Sequence, residues 1–202
     1  MNPRREKQGR TTISRAWLAS AALLAGCAGG PPPPDWQLEA RAALQGFEKH
    51  YLEGNTKVAE IEFARARDAV RATGRGDLLA RLELARCAAR LASLEIDACP
   101  GFEALRADAG AEERAYADYL AGKGPHAATE DALSRLVAAG VAFRSGAVTP
   151  TQIAQAIDLA SAQGWRRPLL AWLEVEVKRA EAAGDRAAAE RLRRRIALVL
   201  RP

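Results

Sequence analysis

Trp36-Gln37-Leu38-Glu39-Ala40-Arg41-Ala42-Ala43-Leu44-Gln45-Gly46-Phe47-Glu48-Lys49-His50-Tyr51 is the stretch on which the fold turns. Trp36, Ala40, Leu44, Phe47 and Tyr51 step by four, four, three and four. At 3.6 residues per turn that spacing draws one apolar face along a helix. The spacing predicts a helix over 35–53, capped by Asp35 and stopped at Gly54-Asn55. A second helix is predicted over 56–73, with Ala59, Phe63, Ala66 and Val70 as its stripe and Gly74-Arg75-Gly76 as its end. A third starts at Asp77 and carries Leu78, Leu82, Ala85, Ala89 and Ala92. Short breaks between helices of similar length make antiparallel neighbours.

Downstream the same grammar continues. Cys99-Pro100-Gly101 breaks the helical run, and a short piece is predicted over 102–105. A helix over 111–121 presents Ala115, Tyr116, Tyr119 and Leu120, and a Gly/Pro loop over 122–126 follows. Thr129 then caps a helix whose first turn holds Glu130 and Asp131, where the dipole favours acids. Leu133, Leu136, Val137, Val141 and Phe143 form its face. Thr149-Pro150-Thr151-Gln152 puts Thr at the N-cap, Pro at N1 and Gln at N3, which is a capping box. That helix stops at Gly164, and Pro168 is suited to N1 of the next. The last two helices, 168–183 and 186–200, join through Gly184-Asp185, with Leu192, Ile196 and Val199 as the inward stripe of the second. Alanine dominates an apolar content of 49% while aromatics supply only 5%, a composition that favours helix. No run alternates β-branched and polar residues as a strand would. The expectation is an all-α array of antiparallel helical hairpins over 35–202.

Two of these hairpins resemble tetratricopeptide-type repeats. Ala59-x3-Phe63-x2-Ala66 has the spacing of that repeat's second helix, after a Gly-Asn turn. The tail 169–200 has the same helix, Gly-Asp turn, helix layout. The first helix does not carry that repeat's Trp, Leu, Gly and Tyr in register, and the closing Pro is missing. The resemblance therefore implies an α-solenoid-like layout and transfers no functional residue.

Upstream of the helices, Arg4, Arg5, Lys7, Arg10 and Arg15 face a single acid, Glu6, and precede the uncharged run 16–24. A basic n-region, a short apolar h-region and a small-residue cleavage site define a secretory signal. Nine apolar residues are too few to span a bilayer, which takes roughly 20. Glu6 and Lys7 after the Arg pair argue for general secretion over twin-arginine export. Leu24-Ala25-Gly26-Cys27 resembles the lipobox of bacterial lipoproteins. The resemblance implies a leader over 1–26, cut before Cys27, whose sulfur takes a diacylglycerol and whose new amine takes a third acyl chain, such as palmitate. Stable anchoring needs more than one acyl chain, so Cys27 would hold the chain on the membrane. With Ala28 rather than an acid after the Cys, the resemblance implies the outer membrane, facing the periplasm. Pro31-Pro32-Pro33-Pro34 ends a tether, 27–34, of polyproline II character.

A net charge of +5 invites a nucleic-acid reading, but the excess sits in the leader. Removing its five basic residues and one acid leaves 25 and 24, a net charge of +1 on the mature chain. The basic footprint that nucleic-acid binding requires is then gone.

Cys87 and Cys99 are the thiols that remain once Cys27 is acylated. An oxidising compartment favours a bridge between them. A bridge needs their Cα atoms within about 7 Å, and an unbroken helix would hold them roughly 15 Å apart or more. It therefore requires the third helix to end near Leu94, with 95–98 folding back. Two free buried thiols and a redox-active pair are the alternatives, the latter without a C-x-x-C. His50 and His126 lack metal-ligand spacing and read as a helix-surface and a loop residue. The carboxylate pairs Glu112-Glu113 and Glu130-Asp131 stand at helix starts, where the dipole wants them. No hydrolase, metalloprotease, P-loop or dinucleotide pattern occurs, and none asks for a metal or cofactor. Candidate anion or partner contacts are Arg166 and Arg167 at a helix start and Arg193 and Arg194 within Arg191-Leu192-Arg193-Arg194-Arg195.

The function expected is non-catalytic: an anchored interaction or scaffold module that binds another envelope protein. Cys87-Ala88-Ala89-Arg90-Leu91, Val148-Thr149-Pro150 and Arg167-Pro168-Leu169-Leu170-Ala171-Trp172 resemble sensor-kinase-associated lipoproteins. That resemblance implies an accessory role in envelope signalling, although the long coiled-coil tail of those proteins is missing. An envelope hydrolase is the competing class. A groove lined by Trp and Tyr would favour peptide binding, and a deep pocket around His50 or a carboxylate pair would favour catalysis.

Overall fold

The computed structural model describes residues 32–126 and 129–201. The leader, Cys27 and the tether through 31 lie outside the described residues. Among those described, all regular structure is helical. The elements are α1 Asp35–Leu52, α2 Thr56–Arg71, α3 Gly76–Ala92, α4 Pro100–Glu103, α5 Ala111–Leu120, α6 Ala132–Arg144, α7 Pro150–Ala162, α8 Arg166–Ala182 and α9 Arg186–Leu200. None is long and apolar enough to cross a membrane.

The turns form where the sequence places them. At the α1–α2 corner Gly54 has φ +88°, the left-handed conformation that costs glycine nothing. It lets the Asn55 N–H donate to the His50 carbonyl at 2.7 Å and the Gly54 N–H to Tyr51 at 3.1 Å. These are the paired bonds of a Schellman motif. The α7 capping box is present in full: Thr149 accepts from the Gln152 N–H at 3.2 Å, and the Gln152 side chain accepts from the Thr149 N–H at 2.8 Å.

Other caps differ from expectation. Asp35 is the first helical residue rather than the cap, because Pro34 occupies the N-cap position in polyproline geometry. Asp131, not Thr129, caps α6 and accepts from the Ser134 N–H at 2.9 Å. The Thr129 hydroxyl instead braces the Asp131 carboxylate. Pro168 is the third residue of α8, which begins at Arg166. Its missing N–H still falls among the four that a helix start leaves unpaired. On α5 Ala117 is buried with Tyr119 and Leu120, and Ala115 is exposed.

α3 organises the domain. One of its faces, Leu82 and Ala89, packs with Ala43, Phe47, Phe63 and Ala66 of the α1–α2 hairpin. The opposite face, Leu84, Cys87, Ala88 and Leu91, packs with α5, α6, α7 and α8. The expected stripe of α3 was the first of these faces; the second gives the helix two apolar faces, separated by strips that carry Arg81 on one side and Arg86 and Arg90 on the other. Gly140 brings α6 close to α3: a Cβ there would lie 2.5 Å from the Leu91 carbonyl oxygen. Trp172 of α8 is fully buried, its Nε1 donates to the Ala92 carbonyl at 3.1 Å, and Phe143 meets it edge-on at 5.9 Å. The tryptophan thus satisfies a carbonyl left open at the end of α3. α9 lies on α8, with Ala189 buried and Leu192, Ile196 and Val199 half-buried against the core.

α3 ends at Ala92, and the chain returns as the bridge requires. Leu94 takes φ +58°, and the Glu95 N–H donates to the Arg90 carbonyl at 2.9 Å. Cys87 and Cys99 are joined, with Cα atoms 5.8 Å apart. Cys99, next to Pro100, also takes a left-handed φ of +51°.

Candidate functional site

A cleft of about 470 Å³ lies between α1, α3, α5 and the start of α6. Its floor is apolar: Leu84 and Ala88 on α3, Leu133 and Val137 on α6. Leu84 and Ala88 are a turn apart on one helix, and the same holds for Leu133 and Val137, so each pair stacks on one face. Tyr116 and Tyr119 are three apart on α5 and share a face, their rings 6.0 Å apart. The His126 ring lies 5.0 Å from both and closes that wall.

The charged lining is unequal. α1 contributes Glu48, α5 contributes Glu112 and Glu113, and the α6 cap contributes Asp131, against the single cation Arg81 of α3. Arg81 Nε donates to Glu113 at 2.9 Å and so is already engaged. That bond holds the Glu113 carboxyl below its usual range. Among the described residues no Lys or Arg forms an ion pair with Glu48, Glu112 or Asp131. Burial, and then the charge of Asp131, push the Glu48 carboxyl up. Burial also acts to raise Asp131, but hydrogen bonds from Ser134 and Thr129 outweigh it and leave that carboxyl low. Capping therefore accounts for the state of Asp131. The Tyr116 hydroxyl is pushed up to about 12, first by burial and then by Tyr119, Asp131 and Glu48.

The cleft does not end at these walls. A second depression of about 410 Å³ shares Glu48, Asp131 and Leu133 with it and runs to Trp165. A third, of about 270 Å³, shares Arg81 and Ala85 and runs to Trp36, Leu44 and Leu78. The three adjoin through these shared lining residues as a grooved face, with Tyr116 in the first depression, Trp165 in the second and Trp36 in the third. Nothing in the sequence connects Glu48 with Asp131. Only the packing of both α1 and α6 on α3 brings those two carboxylates to one cleft.

The other candidate residues lie elsewhere. Arg167 faces inward: its Nε donates to the Tyr51 carbonyl at 2.8 Å, one terminal nitrogen to Glu95 at 2.9 Å and the other to Thr56. Its guanidinium also stacks over the Tyr51 ring at 4.3 Å. It latches the start of α8 to α1, α2 and the loop after α3, and all three of its nitrogens are engaged there. Arg166 is exposed beside Gly54. Arg193 pairs with Glu181 across the α8–α9 hairpin, and Arg194 is exposed. His50 lies on α1 with Nδ1 3.7 Å from Glu53, away from the cleft lining. The donor atoms of Cys87, Asp97 and Cys99 lie within 4.8 Å of one another. With both sulfurs in the disulfide, that cluster offers a cation one carboxylate. No family model, curated protein or solved structure matches this chain.

Proposed function

We propose that the chain is an envelope lipoprotein, anchored through acyl chains on Cys27 in the outer membrane, whose helical domain binds a segment of another envelope protein without catalysing a reaction. The groove carries this reading. Its three adjoining depressions are lined by Trp36, Tyr116 and Trp165. Helical-hairpin arrays use extended concave surfaces of this kind to hold peptides. Aromatic side chains supply contact area there at low cost in conformational entropy.

Site-specific photo-crosslinking in intact cells tests the proposal. A photoreactive residue at Glu112, in the groove, should trap a discrete adduct with another protein. The same residue at Glu190, on the exposed side of α9, should not. Equal trapping from both positions, or none from the groove, would overturn the reading.

A further inference from the structure

We propose that the central cleft selects a lysine or arginine side chain of the bound segment, held among Glu48, Glu112 and Asp131. This rests on the peptide-docking reading above and names what that site recognises. The argument begins with charge. The groups facing the cleft from every surrounding element are Glu48 on α1, Arg81 on α3, Glu112, Glu113 and Tyr116 on α5, His126 in the loop and Asp131 at α6. Arg81 and Glu113 neutralise each other. Among the described residues the three remaining carboxylates form no ion pair, Lys49 lining the adjoining depression rather than the cleft, whereas much of the surface acid elsewhere is paired, as in Arg75–Asp77, Arg86–Glu60 and Arg106–Glu103.

Shape points the same way. Lys and Arg carry an apolar stem and a charged head. The floor of Leu84, Ala88 and Val137 suits the stem, and the carboxylates stand where the head would lie. Tyr116 and His126 add an aromatic wall, and a tyrosine face attracts ammonium or guanidinium. The cleft volume of about 470 Å³ exceeds what one side chain fills, and the cleft shares lining residues with the two neighbouring depressions. The main chain of the segment therefore has room to enter on one side and leave on the other. An acidic segment would meet like charge on three sides. A bare polyamine or divalent cation would match the charge and leave the apolar floor and the flanking tryptophans without a role.

The full chain, extracted in detergent and immobilised, is exposed to a random peptide library, and retained peptides are sequenced. Lys or Arg should dominate one position. A peptide with that residue should bind roughly tenfold or more tightly than its Gln counterpart, as expected for hydrogen bonds to charged groups. Added salt should weaken it. Glu48→Gln and Glu112→Gln should each erase most of that preference, while Glu174→Gln on the exposed side of α8 leaves it intact. Melting curves check that the variants fold. Retained peptides without basic enrichment would overturn the charge selection and leave peptide docking standing. No retention of any peptide, or spermidine and Ca²⁺ binding in place of peptides, would overturn both.

Discussion

At the scale of single residues, Gly140 and Glu48 make opposite demands on the fold. Gly140 lets α3 and α6 approach until its missing side chain is replaced by the Leu91 carbonyl. Gly140→Ala gains up to about 1 kcal/mol of helix propensity but drives a methyl group into backbone that cannot swing aside. Overpacking of this kind costs about 1–3 kcal/mol, so the net outcome is a melting temperature lowered by several degrees in calorimetry. Glu48 is a liability of the opposite sort. Its folded carboxyl is raised by burial and by Asp131, so folding is less favourable with this glutamate charged than with it neutral. For an acid shifted upward, stability is fully present below the unfolded pKa and is lost as pH rises through the folded one. Glu48→Gln should therefore raise the melting temperature at pH 7, and the advantage should shrink as pH falls and vanish below about pH 3, where the glutamate is protonated in both states. A stability gain that persists unchanged at acid pH would remove the carboxylate from this account.

At the scale of elements, the exit of α3 is the most heavily constrained place in the domain. Leu94 and Cys99 both take left-handed backbone, at roughly 1–2 kcal/mol each for a residue with a side chain. The Cys87–Cys99 bridge closes that return over a separation of 12 residues. Chain entropy alone gives such a closure about 3 kcal/mol, comparable to the backbone cost. Arg90 adds a bond to Asp97 at 3.2 Å on the same loop. Reduction should lower the melting temperature by roughly 6–12 °C at 2–4 °C per kcal/mol, and non-reducing mass spectrometry should find the linked peptide. Free alkylation of both thiols in unfolded, unreduced protein would show that no bridge forms. The α8–α9 hairpin offers a second test. α9 half-buries Leu192, Ile196 and Val199 against the core, and its loss exposes the α8 face beneath. Truncation after Gly184 should broaden the unfolding transition and lower its midpoint, whereas an unchanged melting curve would make α9 an ornament.

At the scale of the whole molecule, the proposed anchor and the proposed groove impose one arrangement: a domain tethered by a short Gly/Pro segment, gripping a partner at the membrane surface. Cys27→Ser should abolish incorporation of a palmitate analogue and leave the protein as precursor or released from membranes. Equal labelling of wild type and variant would end the lipoprotein reading. The helices and their boundaries were largely legible in the sequence, because spacing, caps and Gly-containing turns are local. The Thr149–Gln152 box and the Gly184-Asp185 corner need no distant partner to form. The sequence also set the condition for the disulfide, since an unbroken helix could not have brought Cys87 to Cys99. What it did not determine was which faces meet. The second apolar face of α3, the inward turn of Arg167 onto Tyr51 and Thr56, and the meeting of Glu48 with Asp131 all depend on contacts between residues far apart in the chain. Periodicity says that a helix has an apolar side. Only close packing among helices decides what that side touches, and so which charged residues come to share a cleft.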